Sequence, residues 1–169
     1  MRYSPAAFAL ALVFAATAST GISAPPTPLD PRAAVLVQTG RAALVAGNVD
    51  DAVADFEAAL AIQPGHAAIY LNLAEAARKQ GMQGKALRYY REALKLDPNN
   101  QYAIAGEGAA LVEKGAVEKA KTNLARLVQL CGNATCSPAR ELAAAIARGP
   151  APVVVTAAQV EVKPEVSPN

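Results

Sequence analysis

The chain repeats itself with a period of 34 residues, and that period restricts what it can fold into more than any other property. Gly47, Gly81 and Gly115 fall in register, as do Ala52, Ala86 and Ala120. Phe56, Tyr90 and Leu124 follow, then Leu60, Leu94 and Val128, then Ile62, Leu96 and Leu130, while Pro64 and Pro98 align with Gly132. A unit of this length is one supersecondary element that cannot bury its own apolar face, so copies must stack into a linear array. The units run 33–66, 67–100 and 101–134.

Each unit reads as two helices. In the second unit, Tyr70, Leu73, Ala74 and Ala77 share one face at helical spacing, which predicts a helix over 67–80. Gly81 ends it, because glycine accepts left-handed backbone angles without steric cost. A second helix over 85–96 is predicted from Ala86, Leu87, Tyr90, Ala93, Leu94 and Leu96, and Pro98 stops it by biasing Asp97 away from helical angles. Composition agrees. Hydrophobic residues make up 53% of the chain, much of it alanine, and aromatic residues only 5%. Strands prefer β-branched and aromatic side chains, and alanine is the strongest helix former. Ala52, Ala86 and Ala120 fall where the two helices of a unit cross, where a small side chain lets the axes approach to about 8–10 Å. Phe56, Tyr90 and Leu124 fill the space beside that crossing.

These positions resemble the tetratricopeptide repeat family, whose pattern has a small residue at unit position 8, Gly or Ala at 20, an aromatic at 24, Ala at 27 and Pro at 32. In the first unit these are Gly40, Ala52, Phe56, Ala59 and Pro64; in the second, Ala74, Ala86, Tyr90, Ala93 and Pro98. The third has Gly108 and Ala120 but departs at Leu124, Leu127 and Gly132, and is an atypical last repeat. The resemblance implies an all-α, right-handed solenoid of six repeat helices plus a C-terminal capping helix.

The flanking segments have their own signals. Residues 1–24 read as a secretory signal peptide: Arg2 is a lone positive charge, 6–16 is an uncharged apolar run, and small residues follow. Cleavage fits after Ala18 or near Ser23 or Ala24, and a retained anchor is the alternative reading. No Cys follows the apolar run, which argues against a lipoprotein anchor, and no later segment is apolar enough to insert in a membrane. Residues 25–32 form a short linker ending in an N-cap, Asp30 before Pro31. Ser137-Pro138 repeats that device at the start of the capping helix, 137–148, whose Leu142, Ala145 and Ile146 face the third unit. Residues 149–169, with Pro150, Pro152, Pro164 and Pro168, read as a disordered Pro-rich tail.

The chemistry of the chain points away from catalysis. A net charge of +2 with no basic stripe is a poor match to nucleic-acid binding. His66 is the sole histidine, placed after Pro64-Gly65 and read as a solvated loop residue. It has no nominated Ser or Cys partner for a relay. No carboxylate pair is singled out, and Asp50, Asp51, Asp55 and Glu57 sit where a helix N-terminus favours negative charge. No cofactor and no metal site is expected. Cys131 and Cys136 bracket the turn before the capping helix. In an oxidising compartment they are expected to form a structural disulfide; a redox-active pair is the alternative, and the four intervening residues speak against it.

The inner groove remains. The resemblance implies that the first helix of each unit lines the concave side, which nominates Val37, Arg41, Leu44 and Val45 in the first unit. The second unit supplies Leu71, Asn72, Glu75, Arg78 and Lys79, and the third Tyr102 and Val112; packing of Leu44 and Val112 into the stack is the alternative reading. Apolar patches beside Arg41, Arg78 and Lys79 suit an extended peptide or helix with an acidic group. The two-carboxylate clamp of some family members is largely missing: Asn72 matches it, but Val37, Arg41, Tyr102 and Gly106 replace its other members. The expected function is therefore a non-catalytic adaptor for a protein or peptide partner, exported to the bacterial periplasm or cell envelope or secreted. The Asn133-Ala134-Thr135 acceptor pattern leaves a eukaryotic secretory origin open. A self-associating envelope protein, forming a homo-oligomer, is the alternative.

Overall fold

In a computed structural model of the chain, which describes residues 28–132 and 136–150, seven helices follow one another without a strand among them. They are α1 (Pro31–Ala46), α2 (Val49–Ile62), α3 (Ala67–Lys79), α4 (Gln83–Leu96), α5 (Gln101–Glu113), α6 (Val117–Cys131) and α7 (Ser137–Arg148). The predicted signal segment and all of the predicted tail after Pro150 lie outside the described residues. Helices α1 and α2, α3 and α4, and α5 and α6 pack as antiparallel pairs. Each new pair stacks on the second helix of the one before, and α7 lies against α5 and α6. No helix among the described residues is long and apolar enough to cross a membrane.

Local sequence sets the helix ends. The Asp30 carboxylate accepts the Arg32 N–H at 2.8 Å, with Pro31 at the first helical position. Asn100 caps α5 through the Ala103 N–H at 2.9 Å. His66 is not merely solvated: its Nδ1 accepts the Ala68 N–H at 3.3 Å and caps α3. Gly47, Gly81 and Gly115 adopt φ of 85°, 73° and 79°, and the turns they make return the chain from the first helix of each unit to the second. One expected cap is displaced. Cys136, not Ser137, is the N-cap of α7, Pro138 is the second helical residue, and the Ser137 hydroxyl donates to Glu141 Oε1 at 2.6 Å. A proline is tolerated anywhere in the first turn, where its missing N–H has no intrahelical partner in any case, so Ser137-Pro138 does not fix which residue is the cap.

The core is made where helices touch most closely. Ala52, Ala86 and Ala120 are fully buried, as are Phe56 and Tyr90. The Phe56 ring lies directly over Gly40, where an added Cβ would stand 2.6 Å from a ring carbon. The Tyr90 ring covers Gly106 of the next unit more tightly still. In the third unit Leu124 is not aromatic, and Leu142 of α7 fills the equivalent role over Gly108, 2.6 Å from where a Cβ would be. The capping helix therefore supplies the bulk that the last repeat lacks. Cys131 and Cys136 are disulfide-bonded, with Cα atoms 6.2 Å apart, and tie the end of α6 to the start of α7.

Two stability effects follow. Gly40→Ala should cost about 1–3 kcal/mol, because the buried Phe56 ring must leave its place; urea unfolding followed by circular dichroism would read this as a lower midpoint, and an unchanged midpoint would refute the packing account. Replacing both cysteines, Cys131→Ser with Cys136→Ser, should lower unfolding free energy by about 2 kcal/mol, the chain-entropy value for so short a loop, with the helical signal retained.

Candidate functional site

The helices α1, α3 and α5 and one edge of α7 border an open groove of about 1040 Å³. Its long side is lined by Arg41 of α1, then Leu71, Asn72, Glu75 and Arg78 of α3, then Tyr102, Ala109 and Val112 of α5. Each is placed there by helical spacing: on α3, residues 71, 75 and 78 follow one face at steps of four and three.

The groove floor is polar and mutually satisfied. Arg41 Nε donates to Asn72 Oδ1 at 2.8 Å, and Asn72 Nδ2 donates to the Ala68 carbonyl at 2.6 Å. The second of the two bonds leaves Asn72, which is buried, with its amide committed within its own helix. The Tyr90 hydroxyl donates to Glu75 Oε1. Arg78 then bridges Glu75, at 3.4 Å, and Glu113, at 2.6 Å, so a continuous chain of polar contacts runs from α4 through α3 to α5. Burial pushes the Tyr90 phenol well above the usual tyrosine range, and the neighbouring Glu75 carboxylate adds to the shift. For Arg78, desolvation works to lower the pKa, but the Glu113 hydrogen bonds and the neighbouring Tyr90 hydroxyl and Glu75 carboxylate outweigh it and hold the guanidinium above its ordinary value.

Seven of the eleven groove residues read from the sequence line this space: Arg41, Leu71, Asn72, Glu75, Arg78, Tyr102 and Val112. Val112 does so from a buried position, 2% exposed. Lys79 borders a smaller adjoining pocket with Glu75, Arg78 and Glu113. Three residues fall elsewhere. Val37 and Leu44 are 4% and 8% exposed and belong to the core formed by α1, α2 and α3. Val45 is 90% exposed but does not line the groove. Val37 and Leu44 share one buried cluster with Ala52 and Phe56 of their own unit and with Ile69 and Leu73 of the next, neighbours that a position rule for an isolated helix does not include.

The other wall was not read from the sequence. It comes from α7 and the residues after it, with Glu141, Ala144, Ala145, Arg148, Gly149 and Pro150. Extending the 34-residue register into α7 would have nominated Ala139, Ala143, Ile146 and Ala147 instead. Ala139 is buried on the same helix whose Leu142 is seated over Gly108. The only sequence signal was the stripe of Leu142, Ala145 and Ile146. Among the described residues no group of His, Cys, Asp or Glu is arranged to hold a metal ion.

The tetratricopeptide repeat family model matches residues 37–101 of the chain. Cellulose synthase 2 operon protein C of Komagataeibacter xylinus is 38% identical over 103 residues, a match that covers 60% of this chain and 8% of that much longer protein. Among solved structures, the TPR2B domain of yeast Sti1, determined in a complex with pHsp70, superposes with a TM-score of 0.65 at 20% identity, covering 70% of this chain and 96% of that one. The second TPR domain of human RPAP3, in complex with the HSP70 peptide SGPTIEEVD, gives 0.60 at 22% identity, covering 68% and 94%. At these identities the structural likeness establishes a shared helical-repeat fold.

The Tyr90 shift has a consequence for stability. A phenol whose folded pKa is raised contributes stability that is complete below its unfolded pKa of about 10 and declines as pH rises above it. Wild-type unfolding free energy should therefore fall above about pH 10, and Tyr90→Phe should flatten that fall while lowering stability at neutral pH. Parallel pH slopes for the two proteins would contradict the buried, neutral phenol.

Proposed function

On the premise that this chain is a tetratricopeptide repeat protein, with residues 37–101 belonging to that family, we propose that it is a non-catalytic interaction module that holds a peptide or helix of a partner protein in the groove between α3, α5 and α7. The observation that carries this reading is the groove itself. Its floor is polar but internally satisfied, and its rim offers an exposed tyrosine and small apolar residues. A ligand gains from such a site by stacking on Tyr102, which is 63% exposed, and by apolar contact with Leu71, Ala109 and Ala145. It need not break the Glu75–Arg78–Glu113 contacts to enter. The structural relatives named above were solved with peptide or protein ligands, which supports the same use of the fold here.

Export to the periplasm or another oxidising compartment is part of the proposal. It is supported by the signal-like sequence of residues 1–24 and by the Cys131–Cys136 disulfide, since such bonds persist where thiols are not kept reduced. The likeness to a protein of a cellulose synthase operon, over 8% of that protein's length, supports an association with the cell envelope.

Selection of a random displayed peptide library on the whole chain tests the reading. Enriched peptides should bind wild type and lose about tenfold in affinity, roughly 1.4 kcal/mol, with Tyr102→Glu. They should keep their affinity with Val45→Glu, an exposed substitution outside the groove. Equal binding to all three proteins would remove the groove from the proposal. No enrichment, together with a mass that rises with concentration in light scattering, would favour self-association through the exposed Val35 and Val45 of α1.

A further inference from the structure

The groove has one feature that peptide binding in trans does not use: its wall ends at the point where the chain leaves α7. Gly149 caps that helix with φ 73° and ψ −176°, and Gly149 and Pro150 both line the groove. Residues 151–169 therefore begin at its edge. At about 3.3 Å per residue these nineteen residues reach about 60 Å when extended. The first helices of the array, α1, α3 and α5, and then α7 touch in sequence. Three steps of about 10 Å between them make the groove about 30 Å long. The segment is long enough to traverse it.

The chemistry of the two surfaces is complementary. Arg78 is neutralised by Glu75 and Glu113. Arg41 and Arg148 face the groove with no carboxylate at ion-pair distance among the described residues; Arg41 bonds only to the neutral Asn72. The segment 151–169 offers Glu161 and Glu165 against the single cation Lys163, and an apolar set in Val153, Val154, Val155, Val160 and Val162. We propose that residues 151–169 occupy the groove of their own chain and must be displaced before a partner can bind. This inference rests on the peptide-binding reading above and adds a regulator to it. A tether of this kind gives an effective concentration of about 1 mM. A segment with an intrinsic dissociation constant of about 100 µM would then weaken a competing peptide about tenfold.

The test uses two versions of the whole chain: wild type, and a tail variant carrying Val153→Ser, Val154→Ser, Val155→Ser, Glu161→Lys and Glu165→Lys. Amide NMR shifts should differ between them at Asn72, Tyr102, Ala109 and Arg148 and not on the outer helices. A fluorescein-labelled synthetic peptide of residues 151–169 should bind the tail variant about tenfold more tightly than wild type, and adding Arg148→Glu to the tail variant should weaken it again. Coincident groove shifts, or equal binding of the labelled peptide to both versions, would overturn the proposal. If peptides selected in trans still bind both versions equally, only the intramolecular contact fails. If the groove shifts differ but no selected peptide binds even the tail variant, the intramolecular contact stands and the partner-binding reading fails.

Discussion

Contact between a small residue on one helix and a large side chain on the next is what the rest of this structure depends on. Phe56 over Gly40, Tyr90 over Gly106 and Leu142 over Gly108 are three instances of it, spread along the array. Each closes a helix–helix gap that no Cβ could share, and each fixes how the next element sits. The alanines at the crossings, Ala52, Ala86 and Ala120, are fully buried for the same reason. A chain with no Trp and few aromatic residues can still build a dense interior this way, because helix axes that approach closely leave little volume to fill.

The groove inherits its shape from those contacts. Tyr90 illustrates the coupling: its ring packs on α5 while its hydroxyl reaches Glu75 at the groove floor. Through Arg78 the same network touches Glu113. Core packing and groove electrostatics thus share one residue. The partners of Arg78 are close and partly shielded, and so keep their charges paired in the absence of any ligand. The far wall depends on α7, and the disulfide shortens the connection that positions it.

The sequence was most informative where a residue's role is local or periodic. Asp30 and the three recurrent glycines end helices by backbone chemistry that operates within a few residues, and they are found doing so. The groove residues of α3 came from the family resemblance, and α3 presents Leu71, Glu75 and Arg78 on one side because helical spacing is local. Val37 and Leu44 are buried in a cluster that joins their own unit to the next, and such burial depends on tertiary neighbours that spacing along one helix does not contain. His66 was read as a loop residue because histidine is an uncommon cap, although its place just before an apolar-periodic run was the available signal.

The 34-residue period by itself determined the pairing of helices and the number of stacked units, because a helical pair that cannot bury its own apolar face must pack on further copies; which face of α3 lines the groove came from the family resemblance. Only the tertiary structure decided how the array ends. Leu142 settles over Gly108, and Glu141, Arg148, Gly149 and Pro150 border the groove, an arrangement the register of the repeats does not give. The physical reason is that the way a helix seats on its neighbours is set by contacts between side chains of separate elements, and spacing along one helix does not contain those contacts.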